Sequence, residues 1–122
     1  VWSMVEKYHP EVVVDVHGLG AGSTGEYTVT HPHGETPWDS YTHRKIVEVM
    51  DEEATRRGYP QDRDDHGAWP SGEPLSLSDN SYIRFHSLGF TLEVNETTST
   101  IEQMKESGLI RLRALLQQRL LV

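Results

Sequence analysis

Apolar residues recur along this chain with two periods. Val12, Val13, Val14 and Val16 form a β-branched run with the length and composition of a strand buried on both faces. Phe90-Thr91-Leu92-Glu93-Val94 alternates apolar positions around one carboxylate and reads as a second strand, and Glu26-Tyr27-Thr28-Val29-Thr30 has the β propensity of a third. Helical spacing takes over elsewhere. Trp2, Val5 and Tyr8 mark the last turns of an amphipathic helix over about 1 to 8, stopped at His9-Pro10 because the residue before a proline avoids the helical region. Tyr41, Ile46, Val47, Met50 and Ala54 outline the inner face of a helix over about 40 to 57, with Asp39 or Ser40 as its cap and Gly58 just past its end. Ser99-Thr100-Ile101-Glu102 has the Ser-x-x-Glu form of a capping box and opens a last helix over about 100 to 120. Its stripe Ile101, Met104, Leu109, Leu112, Leu116 and Leu120 is expected to pack on a sheet, while Arg111, Arg113 and Arg119 read as a solvated face.

These elements predict an α/β chain: part of a mixed, mostly parallel sheet flanked by helices, with strands at about 12 to 16 and 90 to 94 and a further one at 26 to 30. The strands are too few to close a full sheet. An exposed edge beside the first strand is therefore expected, to be covered by further sequence, a complementary chain or a second copy.

Composition narrows the partners. With 19 acidic against 11 basic residues the net charge is −8, which argues against nucleic acid or an anionic membrane surface as a partner. Cysteine is absent, so there is no disulfide framework and no redox compartment to infer. Apolar runs last only a few residues, far short of a membrane span, and compartment stays unknown from sequence.

Two residues stand out chemically. His17 closes the Val12 strand, with Asp15 two positions before it on the same face, at the sheet edge where α/β proteins bind ligands. Glu93 interrupts an apolar strand, where a carboxylate has to be paired, bound to a cation or held for chemistry. A strand-end histidine and a mid-strand glutamate suit a metal ligand and a general base. Other motifs carry less. Gly20-x-Gly22-x-x-Gly25 satisfies a dinucleotide fingerprint, yet no helix opens after it, so its glycines fit an active-site loop better. His31 and His33 flank a proline in a polar loop, and His66 ends the acidic run Asp62-Arg63-Asp64-Asp65; both sets read as solvated rather than metal-binding.

The order Val12–His17, intervening helix, Phe90-Thr91-Leu92-Glu93 resembles the zinc carboxypeptidases of the carboxypeptidase A type, from about Glu11 to the last helix. The segment from Ser78 to Gly89 resembles that family's short helix leading into the catalytic strand, which places a helix at about 79 to 86. The resemblance implies that the chain, 1 to 122, is a single domain and the C-terminal portion of a zinc carboxypeptidase-like catalytic domain. It further implies zinc as cofactor, His17 as one zinc ligand, Glu93 as general base, and peptide C-termini as substrate. Asp15 is then a candidate to hold the other ring nitrogen of His17. Ser78 and Asp79 fall where the family builds its specificity pocket, although Asp79 reads equally well as a helix N-cap.

The reaction implied is proteolysis at the last peptide bond: water activated by zinc attacks, and Glu93 moves the proton to the leaving amine. A zinc-dependent deacylase of N-acyl amino acids and a non-catalytic fragment of the same fold are the alternatives. One departure matters. The family's other zinc ligands come from a His-x-x-Glu motif, and none of the seven histidines here has a glutamate three residues on. The substrate-carboxylate ligands that lie upstream in the family also have no counterpart. The chain is accordingly expected to lack activity by itself.

Overall fold

A computed structural model describes residues 1–18, 26–30, 37–61 and 77–120. The glycine loop up to Gly25, His31, His33, the acidic run with His66, and the side chains of Asp39, Ser40, Arg119 and Leu120 lie outside the described residues. In chain order the elements are α1 (Trp2–Tyr8), β1 (Val12–Gly18), β2 (Tyr27–Thr30), α2 (Pro37–Arg56), α3 (Leu77–Phe85), β3 (Leu88–Val94) and α4 (Ile101–Leu120). No helix among the described residues is long and apolar enough to cross a membrane.

The strands form one mixed sheet in the order β1-β3-β2, with β1 parallel and β2 antiparallel to the central β3. Register follows the side-chain pattern. Val12, Val14 and Val16 stand beside Leu88, Phe90 and Leu92, while Val13, Asp15 and His17 stand beside Gly89, Thr91 and Glu93. The first face packs under α2 and α4, where Phe90 and Leu92 meet Ile46, Val47, Met50, Ala114 and Leu115 in the core. The second face takes α3 at its start and carries His17 and Glu93 at the carboxyl ends of β1 and β3.

Val12 to Val16 was expected to be buried on both faces, and here the structure differs. Among the described residues β1 pairs only with β3, so it is an edge strand, and Val16 is 47% exposed. Val12 and Val14 pack half-buried against the core on the face that α2 and α4 cover, and Val13 is the buried valine of the strand, on the other face.

Helix ends show how local chemistry sets boundaries. α1 stops at His9, which takes a left-handed conformation (φ 43°) and donates its amide to Val5 O. α2 begins at Pro37, ahead of the expected cap at Asp39 or Ser40, because proline is well suited to a first helical position. It ends as its sequence demands: Gly58 has φ 94° and the Tyr59 amide reaches back to Ala54 O, a Schellman closure. The box that opens α4 is one residue later than expected. Thr100 Oγ1 accepts from the Gln103 amide at 3.2 Å and Gln103 Oε1 accepts from the Thr100 amide at 2.8 Å, leaving Glu102 exposed.

The inner face of α4 also differs from expectation. Ile101, Leu109 and Leu116 are exposed, and the buried positions are Ser107, Gly108, Ile110, Arg111, Ala114 and Leu115. Leu112 of the expected stripe does pack against the core, but two of the buried positions are polar, so an apolar pattern alone finds only part of the inner side. Gly89 explains how α3 sits so close to the sheet. A Cβ there would lie 2.6 Å from Ser78 O, closer than atoms can approach. Gly89→Ala is expected to destabilise the fold by roughly 1–3 kcal/mol, since α3 has to move off β3; urea unfolding of the two proteins measures it, and an unchanged midpoint would refute the close approach.

Candidate functional site

Parallel pairing brings the two singled-out residues together. His17 and Glu93 are direct register partners at the carboxyl ends of β1 and β3, on the face shared with Asp15 and Thr91. His17 Nδ1 lies 4.0 Å from Glu93 Oε1. On the other side of the ring, Nε2 and Asp15 Oδ2 are 2.9 Å apart. A proton on Nε2 donated to Asp15 leaves Nδ1 as the basic nitrogen, facing Glu93. Asp15 and His17 thus lie within hydrogen-bond distance of each other.

Burial differs sharply across this trio. His17 and Asp15 side chains are 46% and 28% exposed, whereas the Glu93 side chain is 4% exposed. Glu93 Oε2 is buried with no hydrogen-bond partner among the described residues. Burial accordingly pushes the Glu93 carboxyl above the ordinary carboxylate range, and the His17 and Arg111 charges draw it only partly back.

Among the described residues no three His, Asp or Glu side chains converge to hold a metal ion. The donors do fit a share in one: an imidazole nitrogen held in a basic tautomer, with Glu93 Oε1 4.0 Å away and Glu93 Oε2 buried without a hydrogen-bond partner among the described residues.

Ser78 and Asp79 both lie in the first turn of α3. α3 starts at Leu77, so Asp79 lies inside the first turn and not at the cap, and both residues are buried. Ser78 Oγ shares a hydrogen bond of 3.0 Å with Thr91 Oγ1, which joins α3 to the face that carries Glu93.

Two site-building residues escape a reading of the sequence. Arg111, expected in a solvated face, is 0% exposed. Its Nη2 donates to Glu93 O at 3.0 Å and to Ser107 Oγ at 3.3 Å, and Ser107 Oγ donates to Glu26 Oε2 at 2.6 Å. Burial lowers its pKa from the usual guanidinium value, against the opposing pull of Glu26, Asp51 and Glu93. The only signal in the sequence is the helical spacing of Ser107, Arg111, Ala114 and Leu115 on one side of α4. His43 is the other. It is buried inside α2, and its Nε2 accepts the Gly89 amide at 3.2 Å, just before Phe90, where the described pairing with β2 begins.

A carboxyl whose folded pKa lies above its unfolded value binds protons more tightly in the folded state. Glu93 therefore contributes stability below its ordinary value of 4.5, and that contribution is lost as pH rises through the folded pKa. The stability of Glu93→Gln relative to wild type is expected to improve between about pH 4 and pH 8, as read by urea unfolding at each pH. A difference that stays flat across that range would mean Glu93 is not destabilised in its charged form.

No protein-family model matches the chain, and neither the curated proteins nor the solved structures include a match to it.

Proposed function

We propose that this chain is the later part of a zinc-dependent hydrolase of the carboxypeptidase type, which removes C-terminal residues from peptides. The observation that supports the reading is the adjacency of His17 and Glu93 at the carboxyl ends of two parallel strands, with Asp15 behind the histidine. His17 would hold zinc through Nδ1, together with ligands from beyond the described residues. When bound, zinc supplies a Lewis acid that polarises the scissile carbonyl and acidifies water.

The rest of the chemistry belongs to the chain's own residues. Asp15 accepts the Nε2 proton of His17 and so keeps Nδ1 available as a ligand. Glu93 Oε2, buried and without a partner among the described residues, receives the proton of the attacking water and delivers it to the departing amine. Its raised pKa strengthens it as a base, while the charge of Arg111 favours the ionised form that can act. Ser78 and Thr91 brace the strand beneath it.

Zinc titration of the chain, followed through its histidine ring signals by NMR, tests the ligand assignment. The His17 ring is expected to respond, and Asp15→Asn to weaken its response by roughly 10–100-fold. A His17 ring indifferent to millimolar zinc would sink the proposal. In a form of the protein that hydrolyses substrate, Glu93→Gln is expected to abolish turnover and leave zinc binding in place. Release of a C-terminal residue from a peptide, against release of an acyl group from an N-acyl amino acid, separates peptidase from deacylase; neither release would mark a non-catalytic fragment.

A further inference from the structure

We propose that Arg111 is a positioning residue that holds Glu93 in place from the opposite face of the sheet. Glu93 is the last residue but one of β3, where a strand ladder ends and local opening costs least. A side chain that moves protons needs its backbone fixed more tightly than a strand end provides. Arg111 fixes it. Its Nη2 donates to the carbonyl of Glu93 at 3.0 Å, on the same peptide unit that orients the Glu93 side chain toward His17.

The same guanidinium nitrogen donates to Ser107 Oγ one turn earlier, and that hydroxyl donates to Glu26 Oε2. Glu26 immediately precedes β2, whose first residue, Tyr27, is the antiparallel register partner of Glu93. One buried cation thus ties together the end of β3, the entry to β2 and the middle of α4, the three segments that meet around Glu93. Packing alone gives no reason for it. A charged side chain at 0% exposure carries a desolvation penalty that an apolar residue of similar size would avoid, so its presence points to positional specificity. The planar guanidinium suits this task because it presents donors in a fixed geometry.

This assignment rests on Glu93 being the general base proposed above, but the geometry it concerns is measurable without activity. Amide hydrogen exchange of the chain, wild type against Arg111→Met, is the test. Exchange at Glu93, Val94 and Tyr27 is expected to rise about tenfold or more while Val13 and Gly89 keep their protection, the pattern of a local opening. The nuclear Overhauser contact between the His17 ring and the Glu93 side chain is expected to weaken in parallel. A uniform acceleration throughout the sheet would show a general contribution to stability and overturn the positioning role, as would unchanged exchange at Glu93 and Val94.

Should the single variant fail to fold because it strands the Glu26 charge, Glu26→Gln combined with Arg111→Met removes both charges. The local pattern is expected there too, and wild-type protection at Glu93 and Val94 in the double variant overturns the proposal. Failure of zinc to reach His17 would remove the hydrolase reading without altering these exchange rates, so the two proposals fall separately.

Discussion

Everything that brings chemistry together in this chain depends on the register between β1 and β3. Side chains alternate along a strand, so a slip of one residue would carry Glu93 into the face covered by α2 and α4 and bring Leu92 to the other one. The native register is selected by matched apolar sets: Val12 and Val14 beside Leu88 and Phe90 on the core side, with Leu92 completing the row. Burial on one face thereby sets what is presented on the other. His17 and Glu93 become neighbours as a consequence of where the valines must go.

The second face is shaped by approach as well as by alternation. Gly89 lets the α3 backbone come close to β3, and Ser78 then reaches Thr91. His43 supplies an acceptor for the Gly89 amide from within α2. At the other end of β3, Arg111 gives the Glu93 carbonyl a donor. The central strand is therefore held by side chains at both ends, on top of its two strand partners. This matches the need of a strand that carries a buried carboxylate: the cost of desolvating Glu93 is tolerable only where the surrounding backbone does not yield.

The polar interior beneath Glu93 has a different logic from the apolar core beside it. Arg111, Glu26 and Ser107 form a connected set in which charge is compensated across three elements, and Asp51 adds its field and a hydrogen bond from Thr28. Removing Arg111 or Glu26 alone leaves an uncompensated charge, which is far more costly than replacing the set together. Such a set contributes specificity of arrangement more than net stability.

Much of the architecture was legible in the chain itself. All the elements but α3, which only the family resemblance suggested, follow in order and kind from β-branched runs, helical spacing and the stops at His9-Pro10 and Gly58, since these are local preferences with local causes. The oddity of a carboxylate in an apolar strand, and of Asp15 and His17 sharing a face, also belongs to the sequence alone. Tertiary structure decided the rest. Only strand pairing could place residue 17 against residue 93, only packing could turn Ser107 and Arg111 inward in place of Leu109 and Leu116, and only the approach of α3 could bury Ser78 and Asp79. A buried arginine carries no mark in a hydrophobic pattern, because what pays for its burial is a carbonyl and carboxylates brought in from distant segments of the chain.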